Sequence, residues 1–167
     1  MTELHLVIRP EMPVDADPIE RLHERAFGPG RFARTAYRLR EGVTHPKDLS
    51  FTALVGTLLV GSIRMGPIVA GSVPALMLGP ITVDPAFEGR GIGAALIGRA
   101  LDAARAAGHT LVILVGDEPY YRRFGFARIP PRQLDMPGPV NPERFLALEL
   151  VEGALAGARG KVLPQTA

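Results

Sequence analysis

A chain of 167 residues with 47% hydrophobic and 22% charged side chains is long enough to bury one substantial core and has the balance of an ordinary globular domain. Its formal net charge is only +2, aromatic residues make up 6% and tryptophan is absent, so the basic stripe with stacking rings that nucleic acid demands is not expected. With no cysteine, disulfides, thiolate metal sites and a cysteine nucleophile are excluded together, a composition compatible with the cytoplasm.

"LHLVIR", Leu4 to Arg9, alternates as a first strand. "DADPIERLHERAF" opens a helix in which Asp17 can cap, Pro18 takes the first helical position and Glu20 can complete a capping box. Gly28 and Gly30 end it, and Arg31 to Gly42 has the pattern of a second, more polar helix. A loop around His45 and Pro46 leads into the sheet. "SFTALV" and "LLVGSIRMGPIVA" flank Gly56-Thr57, a turn suited to a hairpin, and "LMLGPITV" follows. Met65 to Val83 carries no charge and is nearly long enough to span a bilayer. It also holds Pro67, Pro74 and Pro80, which break helices, so buried strands and turns are expected there and no membrane span.

Gly91 to Ala107 has the period of a helix, with Ile92, Leu96, Ile97, Leu101 and Ala104 on one side and Gly108 as its stop. "TLVILVG", Thr110 to Gly116, is apolar throughout, as for a strand covered on both faces. "PYYRRFG" is a short helical turn, and "FARIP" and "RFLALELV" are two closing strands. "MTELHLVIRPE" lacks the basic and apolar regions of a signal peptide. No repeat or linker interrupts the pattern. The expectation is one mixed α/β domain over residues 1–167, with a flexible Gly- and Ala-rich tail over about 154–167.

Gly89, Gly91 and Gly93 fall just before the long helix, where ordering glycine is costly. A helix N-terminus carries unpaired N–H groups and partial positive charge, and glycines there let the backbone approach a phosphate. A tight strand-to-helix turn with close packing is the plainer alternative, and the glycines alone favour the phosphate by about two to one. A Walker loop is excluded, since no Gly-Lys-Ser/Thr follows. Gly89-x-Gly91-x-x-Ala94, with Asp117 after the next strand, fits a dinucleotide fingerprint formally. Against that fold, "DPAFE" separates strand from glycines, antiparallel-looking strands come first and too little chain follows.

"LGPITVDPAFEGRGIGAALIGRAL" resembles the acetyl-CoA-binding motif of the GCN5-related N-acetyltransferases, and "YYRRFGF" resembles that family's later Tyr-x-x-x-Gly-Phe element. With "GD-PYYRRFGF" the likeness is closest to the bacterial subgroup of predicted N-acetyltransferases. The resemblance is strong over Leu78 to Phe126. It implies an acyl-CoA N-acyltransferase fold, with a mostly antiparallel central sheet flanked by helices. It further implies that the backbone of Ile81, Thr82 and Val83 meets the pantetheine arm as an added strand. The amides from Glu88 through Gly89, Arg90, Gly91, Ile92 and Gly93 to Ala94 would hold the pyrophosphate, and Tyr121 would protonate the leaving thiolate. Glu88 departs from the family's Gln or Arg, and a carboxylate there repels a diphosphate unless it points away or Arg90 compensates.

The activity so implied is direct transfer of acetyl from acetyl-CoA to a primary amine on a small molecule or a protein, without metal, in the cytoplasm. The alternative is a non-catalytic acyl-CoA-binding or sensor module on the same fold. A homodimer stays open. Tyr120 is expected to be structural. Asp117 and Glu118 are unassigned as base, since a water relay would serve as well. The four histidines, His5, His23, His45 and His109, lack metal-ligand spacing, and His23 is expected at the surface. Arg21, Arg25, Arg31, Arg34, Arg38 and Arg40 could favour an acidic acceptor, although Glu20, Glu24 and Glu41 among them suggest a solvated face. Arg122 and Arg123 are candidates for a CoA phosphate contact.

Overall fold

The computed structural model of the protein describes residues 5–27 and 49–165, and its frame is one mixed β-sheet. In chain order, β1 (Leu6–Pro10) is followed by α1 (Ala16–Phe27), β2 (Phe51–Val55), β3 (Leu58–Ala70) and β4 (Val73–Val83). Then come α2 (Ile92–Ala106), β5 (Leu111–Val115), α3 (Glu118–Tyr121), β6 (Ala127–Arg128), β7 (Leu134–Asp135), β8 (Phe145–Glu149) and β9 (Gly160–Pro164). The strands lie in the order β1-β2-β3-β4-β5-β8-β6, with β9 pairing both β3 and β7. Of the pairs on the main path, β4 with β5 is parallel and the others are antiparallel. The expected second helix, Arg31 to Gly42, lies outside the described residues, as do Gly28, Gly30, His45 and Pro46.

The uncharged run from Met65 to Val83 is the second half of β3, a turn and all of β4, as its prolines require. No helix among the described residues is long and apolar enough to cross a membrane.

Apolar layers cover both faces of the sheet. On one face, α2 buries Ile92, Leu96, Ile97, Ala100, Leu101 and Ala104, the stripe its period requires. It sits close because β3 has Gly61 beneath it: a methyl there would lie 3.0 Å from Leu96 Cδ1 and 3.1 Å from Ile92 Cγ2. On the other face, Ile19 and Leu22 of α1 pack on Leu59. Farther along that face, Met77, Ile113 and Phe145 are covered by residues including Ala158 and Val162.

Two expectations about α1 are corrected. The helix is entered through a 3-10 turn at Pro13–Asp15, so Asp17 and Pro18 lie inside its first turn, and Asp15 closes the turn that precedes it. The Met12 N–H donates to Asp15 Oδ2 (2.8 Å) and the Asp15 N–H donates to the Met12 carbonyl (2.9 Å). His23 is also not a surface residue, being 0% exposed beside Glu20 and Phe27. It follows Ile19 and Leu22 at the i, i+3, i+4 spacing of a buried face, and position overrides residue type.

The tail differs too. β9 pairs Val162 with Ala70 and Leu163 with Val69, while Ala158 and Val162 are 0% and 1% exposed. The Gln133 side-chain amide donates to the carbonyls of Leu155 (2.7 Å) and Ala158 (2.9 Å), tying this segment down. The close approach requires glycine on the sheet's side, at Gly71 in the turn between β3 and β4, where a Cβ would collide with the Arg159 backbone.

Asp15 links three elements. Arg9 of β1 donates to both its oxygens (2.7 and 2.9 Å), and the Thr52 hydroxyl of β2 lies at 3.4 Å. Burial alone would raise the Asp15 pKa, but Arg9, the Met12 amide and Thr52 bond its charged form and hold it below the ordinary 3.8. A depressed folded-state pKa contributes stability that is complete above pH 3.8 and fades as pH falls through the folded value. Asp15→Asn should therefore lower stability at neutral pH by about 1–3 kcal/mol. In urea unfolding, the gap between native and variant proteins should close in strong acid; a gap independent of pH would show that the charge is not what matters.

Candidate active site

Strands β4 and β5 pair only at Leu76↔Val112 and Met77↔Ile113. β4 then runs on to Val83, bonded to β3 along one edge and to no described strand along the other. The divergence coincides with a bulge. Ile63 pairs with Ile81 but Met65 with Leu78, so Gly79–Pro80 places one extra residue on β4. The Gly79–Pro80 peptide is cis and Gly79 has φ 128°. Proline is tolerated here because a bulge needs no ladder hydrogen bond from it.

Ile81, Thr82 and Val83 form the end of this open edge, bonded on their other side to Ile63, Ser62 and Gly61. The Thr82 and Ser62 hydroxyls, 2% and 0% exposed by residue, are cross-strand neighbours without a hydrogen-bond partner.

From Val83 the chain passes through a 3-10 turn, Pro85–Phe87, into Glu88 and the glycines. Asp84 holds the turn by accepting from the Ala86 N–H (3.0 Å), and Arg25 of α1 reaches its carboxylate at 3.1 Å. Gly89 and Gly91 have φ 78° and 79°, the left-handed region in which other residues are strained. Nothing lies within 4 Å of where a Cβ would stand on either, so backbone conformation, not crowding, requires glycine. Gly91 is the N-cap of α2 and supplies no capping side chain. The first N–H groups of α2, at Ile92, Gly93 and Ala94, thus have no intrahelical acceptor, at the positive end of the helix. Glu88 is exposed, and Arg90 lies over the Phe87 ring, 5.7 Å from its centroid.

The short helix α3 flanks the gap from the β5 side. Tyr121 is half-buried, its ring against Gly116 at the end of β5, where any larger residue would collide with it. It meets Phe126 edge-on at 6.0 Å. Tyr120, expected to be structural, packs beside the glycine turn. A Cβ on Gly93 would stand 3.4 Å from the Tyr120 hydroxyl and 3.7 Å from Val83 Cγ2, which places Tyr120 against the first turn of α2. Arg123 lies over the Tyr120 ring at 4.7 Å. The only clue in the sequence was the adjacency of two tyrosines.

Other candidates are placed less favourably. Glu118 is 3.4 Å from Arg122 and 3.0 Å from Arg128, so its charge is already balanced and Arg122 is committed to it. Asp117 is exposed at the N-cap of α3. Arg31, Arg34, Arg38, Arg40 and Glu41 lie outside the described residues. Among the described residues, no group of three His, Asp or Glu side chains is placed to hold a metal ion.

This arrangement has counterparts in known proteins. The model of the acetyltransferase (GNAT) family matches residues 16–126. The uncharacterized N-acetyltransferase YhbS of Escherichia coli K12 is 29% identical over 158 residues, covering 94% of this chain and 95% of that one. The crystal structure of E. coli YhbS in complex with CoA superposes with a TM-score of 0.83 at 28% identity, over 99% of this chain and 92% of that one. A GNAT family acetyltransferase from Brucella melitensis, solved with acetyl-CoA, gives 0.63 at 32% identity, over 91% and 99%.

The two kinds of glycine in this region predict opposite outcomes. Gly91→Ala forces a side chain into left-handed backbone and should cost about 1–2 kcal/mol. Gly98 lies within α2 with nothing within 4 Å of its Cβ position, so Gly98→Ala should gain about 0.4–1 kcal/mol. Chemical denaturation of both variants checks this, and a shift in the same direction for the two would refute the assignment.

Proposed function

The chain belongs to the GNAT family of acetyltransferases, and from that premise we propose that it moves an acetyl group from acetyl-CoA to a primary amine by direct transfer within a ternary complex. The observation that carries this reading is the continuity of β4's open edge with the glycine turn and the N-terminus of α2. An extended amide-bearing arm ending in a diphosphate needs those two features in that order: unpaired strand groups, then N–H donors at a helix start.

In this reading the backbone of Ile81, Thr82 and Val83 bonds the pantetheine arm. The amides from Gly89 to Ala94 bond the pyrophosphate, helped by the helix dipole. Glu88, being exposed, leaves the phosphates to its own amide and its neighbours'. Tyr120 walls the cradle beside Gly93, and Arg123, stacked on that ring, adds positive charge. Acetyl-CoA brings the activated acyl group as a thioester. The amine nitrogen bonds to the acetyl carbon as the carbon–sulfur bond breaks. The Tyr121 hydroxyl gives its proton to the departing thiolate, and the new amide releases a proton that restores the tyrosine. The acceptor is a small-molecule or protein amine, and the setting is the cytoplasm.

Calorimetric titration with acetyl-CoA, CoA, NADH and ATP tests the cofactor: the first two should bind and the others should not. Binding of NADH alone would replace this reading with a dinucleotide one. With an acceptor found by a thiol-release screen, Tyr121→Phe should reduce kcat by about a hundredfold or more and leave acetyl-CoA affinity nearly intact. Unchanged turnover would remove the acid role. Tight acetyl-CoA binding with no thiol release for any amine would favour an acyl-CoA-binding module.

A further inference from the structure

A second cavity, of about 350 Å³, lies in the segment between β6 and β8 and shares no residue with the glycine cradle. That volume is at the lower end of the range for small-molecule pockets. Ile129, Leu134, Met136 and Phe145 line it and are 5%, 7%, 8% and 7% exposed, an apolar floor. Two charged residues line it as well, Arg132 and Asp135, both exposed. Among the described residues, neither has an ion-pair or side-chain hydrogen-bond partner.

The backbone at Arg132 is unusual. The Gln133 N–H bonds the Pro130 carbonyl at 3.2 Å, closing a turn with Pro131 and Arg132 at its centre. Arg132 has φ 67°, the one positive φ outside glycine among the described residues. That position favours glycine, and an arginine is held there at a conformational cost. The hold comes from next door. Gln133 is buried, its amide bonds two carbonyls of the C-terminal segment, and its own carbonyl accepts from Gly160 N–H at 2.9 Å. An anchored turn therefore presents a costly, unpaired guanidinium at the rim of an apolar pocket that an unpaired carboxylate also borders.

We infer that this pocket binds a free α-amino acid with an apolar side chain. The ligand's carboxylate pairs with Arg132, its ammonium with Asp135, and its side chain lies on the floor of Leu134, Met136 and Phe145. A zwitterion satisfies both rim charges at once, which a simple anion or cation does not, and the floor excludes a polar side chain. Phe145 pairs with Val115, so the pocket flanks β5 on the side away from the opening toward β4.

Calorimetric titration of the full chain with L-leucine tests the inference, with L-serine, leucinamide and N-acetyl-leucine as controls for side chain, carboxylate and ammonium. Leucine should give saturable binding, and each control should bind about tenfold or more weakly. Arg132→Gly is the decisive variant, because glycine suits the left-handed backbone. Its melting temperature should hold or rise while leucine affinity falls about ten- to a hundredfold. Asp135→Asn, on an exposed side chain, should weaken leucine but leave N-acetyl-leucine unchanged. Absence of saturable leucine binding, or full affinity in a folded Arg132→Gly protein, would overturn the inference. Acetyl-CoA titration reports on the β4 edge and the glycine turn, none of whose residues lines this pocket, so the two binding events are scored separately.

Discussion

Two strands that part company organise this molecule. A parallel pair normally continues while both strands last, yet β4 keeps β5 only through Leu76 and Met77 and then bends away over the bulge at Gly79–Pro80. The cost is a strand edge whose amide groups are left without a strand partner, in a sheet whose other central edges are paired. Natural proteins cover or use such an edge. Here it leads without interruption into a left-handed glycine turn and a helix start, two more sets of unpaired donors. The three features share one chemistry, since each leaves backbone groups without a partner from the strands or helices described.

The rest of the fold keeps that opening from collapsing. α2 is fixed to the sheet by its apolar stripe and by the missing side chain at Gly61, so its N-terminus cannot drift from the end of β4. On the opposite face α1 is pinned at both ends, through Asp15 to Arg9 and Thr52, and through Arg25 to Asp84. Asp84 thus belongs to two networks, capping the turn before the glycines and receiving α1. Arg64 of β3 lies 3.0 Å from Glu11, at the end of β1. On the β5 side, Tyr121 fills the space over Gly116 and Tyr120 leans on the first turn of α2.

The C-terminal third extends the same sheet face rather than trailing from it. β9 adds to β3 and carries β7, and Gln133 locks that layer to the loop before β7. The loop's turn is thereby rigid enough to keep Arg132 in a conformation it would leave if free. Stability spent there places a positively charged residue beside an apolar hollow.

Much of this was legible from residue order. β3 and α2 fall within a residue of their expected bounds because a long hydrophobic period bounded by glycine admits few other structures. The left-handed glycine turn was visible for the same reason, being a local conformational demand written in consecutive residues. Three things were not. The start of α1 moved upstream because Asp15 gained partners from β1 and β2, and His23 was buried by its helix face rather than exposed by its polarity. The tail joined the sheet because Ile68 to Ala70 offered an edge that only the folded sheet creates. Nor could the chain announce that Tyr120 borders the cradle, or that Arg132 and Asp135 share a pocket. The sequence by itself determined the local elements and the glycine turn, since these depend on neighbours along the chain. The open edge, the partners of each charge and the second pocket were decided by tertiary structure alone, because each depends on which distant segments end up side by side.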